Sequence, residues 1–174
     1  FKKLSEMGIK TVLLSGDNKI SAESVGNKLN ADEVFAGVMP REKAQIVSEL
    51  KNKYGFAIMV GDGINDAPAL IEADIGCALG SASDIAIDSA DLVLMKDNPL
   101  DVVRAIKLSR LTMRTIKQNL FWAFCYNVVC IPIAAGVLYA FGGPQLNPMI
   151  AGLAMSFSSV CVVTNALRLK HKKI

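Results

Sequence analysis

The pattern of apolar and polar positions divides the chain into two halves of different character. Up to residue 95, short apolar runs rich in β-branched residues alternate with segments of helical period, which predicts parallel strands joined by helices. The predicted strands are KTVLL, EVFAG, FAIMV, IGCAL and DLVLM, and the predicted helices cover residues 21–29, 40–53 and 65–73. Pro40 suits a first helical position, and Glu42 follows in the first turn. We therefore expect an α/β fold, a parallel sheet covered by helices on both faces.

The second half contains two uncharged apolar segments, residues 120–141 (22 residues) and 149–167 (19 residues). Each is long enough to cross a hydrocarbon core of about 30 Å as a helix. A helical pattern starts near Asn98 and runs into the first segment. We therefore predict a transmembrane helical hairpin after the soluble part, with this division of the chain: residues 1–97 soluble domain, 98–119 cytoplasmic stalk helix, 120–141 first span, 142–148 extracytoplasmic turn, 149–167 last span and 168–174 cytoplasmic tail.

Charge follows the same division. Residues 1–95 hold nine Lys or Arg against fourteen Asp or Glu, whereas residues 96–174 hold ten against two. Basic residues flank both outer ends of the predicted hairpin and the turn GGPQLN has none, so both ends are expected on the cytoplasmic side. Basic runs beside two apolar spans favour membrane lipid over nucleic acid as a partner. The four cysteines show no paired spacing, which predicts reduced thiols.

Two loops follow predicted strands at the sheet edge where ligands bind in such folds. The run KTVLL leads into Ser15-Gly16-Asp17-Asn18, which offers a hydroxyl and backbone N–H groups at a helix start, suited to phosphate oxygens. The run FAIMV leads into the segment 61–66, whose carboxylates and amide are hard oxygen ligands suited to Mg²⁺. Lys43 begins an intervening helix, where its ammonium group can neutralise a phosphoryl group. Each feature alone is common, but their combination favours a phosphoryl-transfer site.

The segment GDGINDAPAL at residues 61–70 closely resembles the hinge signature of P-type ATPases, and SGDN at residues 15–18 is similar to that family's TGDN. The resemblance extends through MPREK and ADLVLM. It implies part of a phosphorylation domain of haloacid-dehalogenase type (Rossmann-type) that uses ATP and Mg²⁺. In that family the matching residues bind and neutralise the phosphoryl group and support the Mg²⁺ ion. The implied catalytic residues are Ser15, Gly16, Asp17, Lys43, Asn65 and Asp66, and the implied Mg²⁺ ligands are Asp62 and Asp66.

The nucleophile of that family is an aspartate in a DKTG-type motif, and this sequence contains no such string. Phosphoryl transfer to a carboxylate needs that group. We therefore expect the chain to be one portion of a pump whose nucleotide-binding domain, actuator and earlier helices lie elsewhere. Alone it is expected to form no phosphoenzyme.

The predicted spans contain no charged side chain, and their thioether, thiol, hydroxyl and amide groups suit a soft ion such as Cu⁺. Met155, Ser158 and Ser159 share one helix face. Such residues also serve as ordinary helix-packing groups in membranes. However, YN at residues 126–127 and MSFSS at 155–159 resemble the YN and MxxSS motifs of copper-transporting heavy-metal ATPases. That resemblance implies Cu⁺ ligation by Tyr126, Asn127, Met155 and Ser159.

The sequence thus favours the C-terminal portion of an ATP-driven copper(I) exporter that works through an aspartyl-phosphate intermediate. The expected location is a bacterial plasma membrane, and the expected partners are the remaining pump domains and a copper chaperone. The alternative is a membrane-anchored phosphatase of the haloacid-dehalogenase superfamily, in which the hairpin is only an anchor. An anchor has no need of the YN and MxxSS motifs, so these motifs discriminate between the two hypotheses.

Overall fold

The computed structural model describes residues 1–134, 141–142 and 148–170. It divides into two compact units, Phe1–Val103 and Arg104–Ile174. The first unit alternates helices and strands in this order: α1 (Lys2–Ser5), β1 (Val12–Leu14), α2 (Lys19–Leu29), β2 (Glu33–Phe35), α3 (Pro40–Tyr54), β3 (Ile58–Gly61), a 3₁₀ turn (Ile64–Asp66), α4 (Ala67–Glu72), β4 (Ile75–Ala78), α5 (Asp84–Asp88) and β5 (Leu92–Val93). Two long helices follow, α6 (Leu100–Ala134) and α7 (Pro148–Lys170).

The strands pair in parallel, as the alternation of strands and helices predicted, but they form two sheets. Strand β1 pairs with β2, and β3, β4 and β5 form a second sheet in that order. Within the part of the chain that the structure describes, no strand pairs with the other edge of β1 or of β3. The expected single sheet is therefore divided between β1 and β3, the two strands that lead into the candidate loops.

The core of the first unit consists of small residues packed around α4. One cluster joins Leu70 to Ala78, Ala82 and Ala86, and a second joins Val47 to two alanines of the α4 region. Glycine at position 76 permits the close approach of α4 to β4, because a Cβ atom there would lie 2.6 Å from the carbonyl oxygen of Leu70. This packing fixes the helix that immediately follows the segment 61–66.

A polar cluster joins the starts of β1 and β2. The carboxylate of Asp32 accepts hydrogen bonds from Lys10 Nζ at 2.7 Å, from the backbone N–H of Thr11 at 2.9 Å and from the Thr11 hydroxyl at 3.0 Å. The bonds from Lys10 and Thr11 lower the pKa of Asp32 from 3.8 to about 2. The carboxylate is thus ionised at neutral pH, and it connects two strand ends at the edge opposite the candidate loops.

The predicted transmembrane hairpin, and with it that part of the predicted fold class, is wrong. None of the helices in residues 1–134, 141–142 and 148–170 is both long and apolar enough to cross a bilayer. Charged side chains continue along α6 as far as Lys117, so only residues 118–134 of this helix are uncharged. Helix α7 carries Thr164, Asn165 and Arg168 in its last turns. Residues 135–140, 143–147 and 171–174, which cover parts of the predicted first span, turn and tail, lie outside the described residues.

Within the second unit, polar contacts join α6 to α7. The amide of Asn165 donates to the side-chain oxygen of Asn119 at 2.8 Å, and the hydroxyl of Tyr126 lies 4.0 Å from Cys161 Sγ. Asn119 of α6 contacts Asn165 of α7, and the later residue Tyr126 contacts the earlier residue Cys161. The two helices are therefore antiparallel. The amide contact and the hydroxyl contact thus set the register of α6 against α7.

Candidate functional site

The loop after β1 presents the first group of predicted site residues. The hydroxyl of Ser15 accepts a hydrogen bond from the backbone N–H of Asp17 at 3.1 Å. Helix α2 begins at Lys19, and Asn18 caps it by accepting from the N–H of Ser21 at 2.9 Å. Ser15 is half-buried, whereas Gly16 and Asp17 are exposed. The loop therefore combines a positioned hydroxyl with the N-terminus of a helix, a combination suited to an anionic group.

Lys43 and Asp66, which are 23 residues apart in the sequence, form the central contact of the site. Lys43 lies in the first turn of α3, and Asp66 ends the 3₁₀ turn after β3. Lys43 Nζ lies 2.7 Å from Asp66 Oδ1, and both side chains are only 14% exposed. Because an ammonium group carries three N–H donors, Lys43 can keep this bond and still donate to a phosphoryl oxygen. The pair thus joins α3 to the carboxylate loop.

Asp62 has a different environment from Asp66. It is exposed at the carboxyl end of β3, and its carboxylate takes part in none of the salt bridges between described residues. Its backbone oxygen accepts a hydrogen bond from the N–H of Ser83 at 3.0 Å. Asn65 is also exposed. The fixed backbone and the available carboxylate suit Asp62 to a cation, whereas Asp66 already has a counter-ion at one oxygen.

Backbone contacts connect the two loops through the start of α3. The N–H of Val38 donates to the carbonyl of Ser15 at 3.0 Å, and the N–H of Gly37 donates to that of Asp17 at 2.8 Å. Met39 follows, and its N–H donates to the carboxylate of Glu42 at 2.8 Å, which fixes the first turn of α3. Lys43 directly follows Glu42 in this first turn. The Ser15 loop is thereby joined through consecutive residues to the ion pair with Asp66.

The oxygen ligands of this site fit Mg²⁺. The ion prefers hard oxygen donors and is commonly held by one or two carboxylates together with phosphate oxygens and water. Asp62 offers a carboxylate without a counter-ion among the described residues. Asp66 uses Oδ1 for its contact with Lys43, which leaves Oδ2 as the oxygen for a cation. No cluster of three or more ionisable metal ligands occurs among the residues whose positions are given.

Ser83 is a site residue that the sequence analysis missed. Besides its N–H bond to Asp62, its hydroxyl oxygen accepts from the N–H of Ala86 and caps α5. The signal was present in the sequence, since Ser83-Asp84 before an apolar stretch is typical of a helix start. The contact with Asp62 depends on the fold and has no local signal.

The structure places only part of the proposed copper site. Tyr126 and Asn127 lie on α6, half-buried and exposed respectively, and Ser159 is exposed on α7. Tyr126 faces Cys161, whose sulfur lies 4.0 Å from the tyrosine hydroxyl. Met155 belongs to α7, but its side chain lies outside the described residues. Ligation of Cu⁺ by these residues therefore stays a prediction.

A substitution at Gly61 tests the placement of Asp66 in the ion pair. A Cβ atom at this position would lie 2.7 Å from Asp66 Cβ and 2.9 Å from Asp66 Oδ2, whereas at Gly63 the nearest atom would be 3.9 Å away. We expect Gly61→Ala to displace Asp66 and to lower the free energy of unfolding by about 1–3 kcal/mol, as other overpacked sites do. Gly63→Ala is the matched control and should change it little. Urea unfolding of both variants measures this, and equal midpoints would contradict the placement of Asp66.

Comparisons with known proteins agree with the fold and the motifs. Residues 1–74 match the family model of the haloacid dehalogenase-like hydrolases. The chain is 53% identical over 170 residues to a "Probable copper-exporting P-type ATPase" of Archaeoglobus fulgidus, covering 98% of this chain and 21% of the relative. It is 51% identical over 173 residues to a "Copper-exporting P-type ATPase" of Vibrio cholerae, covering 99% of this chain and 19% of the relative.

Among solved structures, a crystal structure of a zinc-transporting PIB-type ATPase matches with a TM-score of 0.83 and 36% identity. The match covers 97% of this chain and 26% of that chain. The chain thus spans about a fifth of the length of the curated relatives that it matches.

The parallel α/β fold of the first unit agrees with the match of residues 1–74 to the haloacid dehalogenase-like hydrolases. Its Ser15 loop, Lys43 and carboxylate loop offer a hydroxyl, an ammonium group and carboxylates. Over nearly its whole length the chain is related to part of the copper-transporting P-type ATPases. The resemblance that the motifs suggested is thereby confirmed.

Proposed function

We propose that this chain is the portion of an ATP-driven copper(I) exporter that completes the phosphorylation site and contributes to the copper pathway. The observation that carries the proposal is the ion pair of Lys43 with Asp66, which joins α3 to the carboxylate loop, while backbone hydrogen bonds join the Ser15 loop to the start of α3. Neither loop alone distinguishes a phosphoryl site from ordinary turns. Joined through α3, they provide a hydroxyl, an ammonium group and carboxylates at one edge of the fold.

In the proposed reaction, an aspartate outside this chain attacks the γ-phosphorus of ATP. The new bond joins the carboxylate oxygen to phosphorus, the bond from phosphorus to the bridging oxygen breaks, and ADP leaves with that oxygen. The Ser15 hydroxyl donates a hydrogen bond to the transferred group, and Lys43 balances its negative charge. Asp62 and Asp66 would hold Mg²⁺, which when bound would supply further positive charge at the phosphoryl oxygens.

The free edges of β1 and β3 support a nucleophile supplied from elsewhere in the pump. Both strands carry site loops at their carboxyl ends, and each lacks a partner on one side among the described strands. A further parallel strand in that position would bring its own carboxyl end to the edge that holds Ser15 and Asp62. We propose that the phosphorylated aspartate follows such a strand, in a segment that corresponds to the four-fifths of the copper-exporting relatives that this chain does not match.

Copper(I) is the proposed transported substrate, with Tyr126, Asn127, Met155 and Ser159 as its ligands. The support is the pair of sequence motifs, together with the higher identity to copper exporters (53%) than to the zinc-transporting structure (36%). Thioether and neutral oxygen or amide groups suit a soft monovalent ion. They suit Zn²⁺ less well, because a carboxylate ligand is expected for that ion. A copper chaperone is the proposed donor of the ion.

The proposal places the whole pump in a bacterial plasma membrane, with residues 1–103 on the cytoplasmic side where ATP is available. The remaining domains supply nucleotide binding and the actuator function. Phosphatase activity with only an anchoring role for the second unit is less favoured, because the similarity to copper exporters extends over both units of the chain.

The full-length protein tests this proposal. Incubation with radiolabelled ATP and Mg²⁺ is expected to give an acid-stable label that increases with Cu⁺ and is removed by hydroxylamine, since hydroxylamine cleaves acyl phosphates. The same sample is then assayed for hydrolysis of simple phosphate monoesters. Monoester hydrolysis that does not respond to Cu⁺, without a labelled intermediate, would contradict the exporter and identify the phosphatase.

A further inference from the structure

The segment 79–83, between β4 and α5, is hydrogen-bonded to the carboxyl end of β3. The N–H of Leu79 donates to the carbonyl of Gly61 at 3.3 Å, and the N–H of Ser83 donates to the carbonyl of Asp62 at 3.0 Å. Both contacts use backbone groups at each end of the segment. The position of the Asp62 backbone therefore depends on the conformation of residues 79–83.

Asp97 contacts the middle of this segment. Its carboxylate oxygen Oδ1 accepts a hydrogen bond from the backbone N–H of Ser81 at 2.6 Å, although the two residues are 16 positions apart in the sequence. A bond to an ionised acceptor is stronger than one to a neutral oxygen. Asp97 takes part in none of the salt bridges between described residues. The N–H groups of residues 79, 81 and 83 thus all have acceptors, and the middle acceptor is a side chain.

The stretch that carries Asp97 is itself fixed on both sides. Leu94 is buried, and its N–H donates to the carbonyl of Ala78 at 2.9 Å. On the other side, the amide oxygen of Asn98 accepts from the N–H of Leu100, the first residue of α6, at 3.0 Å. The carboxylate of Asp97 therefore extends from a short stretch of backbone with a contact before it and another after it.

A close backbone approach brings the two stretches together. A Cβ atom at Gly80 would lie 2.9 Å from the carbonyl oxygen of Leu94 and 2.9 Å from the carbonyl carbon of Met95. Because both atoms belong to the backbone, an added methyl group could be accommodated only by a shift of the main chain. Segment 79–83 therefore packs directly against residues 94–97, and the position of one depends on that of the other.

We propose that Asp97 is a positioning residue for the Mg²⁺ site. It holds Ser81, and the same segment holds the carbonyl of Asp62 through Ser83. Since the Asp62 carboxylate extends from that backbone, a shift of the segment changes where the carboxylate meets the ion, and residues that support a ligand in this way tune metal affinity. The inference rests on the proposed function, because it assigns Asp97 to the Mg²⁺ site of that reaction.

The full-length protein is phosphorylated at a fixed ATP concentration over a series of Mg²⁺ concentrations. The loss of one such hydrogen bond corresponds to roughly a fivefold change in an equilibrium constant, so Asp97→Ala should raise the Mg²⁺ concentration for half-maximal phosphoenzyme roughly fivefold. The maximal level should change little, because the groups proposed to contact the phosphoryl group are retained. Asp97→Asn keeps an oxygen acceptor and should restore the response. Gly80→Ala should shift it in the same direction as Asp97→Ala.

Asp91→Ala is the matched control. The carboxylate of Asp91 accepts from the backbone N–H of Gly76 at 2.9 Å, at the opposite end of β4 from segment 79–83. The control thus loses the same kind of bond and should leave the Mg²⁺ response unchanged. If Asp97 had a merely structural role, both alanine variants would show the same Mg²⁺ response and the same loss of thermal stability.

Hydrogen exchange of the backbone amides gives a measurement that does not depend on phosphoenzyme. It is followed by mass spectrometry on peptides that cover residues 79–83, in the same full-length proteins without ATP. The segment should exchange roughly fivefold faster in Asp97→Ala than in the unaltered protein, because local opening costs less free energy there. Its exchange in Asp91→Ala and in Asp97→Asn should stay near the unaltered rate.

Three results would overturn the inference. The first is unchanged exchange of residues 79–83 in Asp97→Ala, and the second is an equal Mg²⁺ shift in Asp91→Ala. The third is a loss in Asp97→Asn as large as in Asp97→Ala, which would assign the effect to charge and not to the hydrogen bond. If the unaltered protein forms no phosphoenzyme, the proposed function fails, whereas the exchange rates still decide whether Asp97 holds the segment.

Discussion

Replacing Asp62 by asparagine is expected to abolish phosphorylation of the full-length protein by ATP while the fold is retained. The change removes one negative charge at the proposed Mg²⁺ site and conserves the size of the side chain. Loss of a metal-borne charge at the transferred phosphoryl group is worth several kcal/mol, so the level of phosphoenzyme should fall roughly a hundredfold or more. The measurement is the acid-stable label from ATP at saturating Mg²⁺.

Asp62 is suited to this test because its side chain supports little else. It is exposed, and the contact with Ser83 uses its backbone oxygen, which asparagine keeps. Asp88→Asn, an exposed substitution on α5, is the matched control and should leave the label unchanged. If Asp62 is only a turn residue, both variants will give phosphoenzyme near the unaltered level with unchanged thermal stability, and that result would reject its role in Mg²⁺ binding.

Replacing Met155 or Asn127 by alanine in the full-length protein is expected to remove Cu⁺-stimulated ATPase activity. A soft ion depends on its thioether ligand, and no charged group in residues 118–167 can take over. Tyr126→Phe and Ser159→Ala should have weaker effects, because a hydroxyl is a poor ligand for Cu⁺. The experiment compares ATPase stimulation by Cu⁺ and by Zn²⁺ in each variant.

Helix packing is the competing explanation for these residues, and its consequences differ. It predicts a general loss of expression or stability. Only variants with the same unfolding temperature as the unaltered protein are therefore compared. Val129→Ala, an exposed substitution on α6, serves as the matched control. Stimulation of the unaltered protein by Zn²⁺ alone, or an undiminished Cu⁺ response in a stably folded Met155→Ala variant, would reject the proposed ligands.

Local sequence features predicted much of the first unit. The strands, the start of α3 at Pro40 and the position of Glu42 in its first turn follow from patterns that involve only a few neighbouring residues. The motifs also indicated which loops follow β1 and β3. Helix α5 was missed because its five residues are too short to show a helical period. The prediction of transmembrane spans was wrong for the described helices, none of which is both long and apolar enough to cross a bilayer. The described part of α6 ends at Ala134, inside the predicted first span.

The sequence by itself thus determined the parallel α/β pattern, the chemistry available in each loop and the relationship to copper-transporting P-type ATPases. These depend on residue type, spacing and order, which are local properties. Only the tertiary structure decided that Lys43 pairs with Asp66 and not with Asp62, that Ser83 holds the Asp62 backbone and that Tyr126 faces Cys161. Such contacts join residues far apart in the chain. They depend on how α3 and α5 pack against the 3₁₀ turn after β3, and on the register of α6 against α7, which no local pattern encodes.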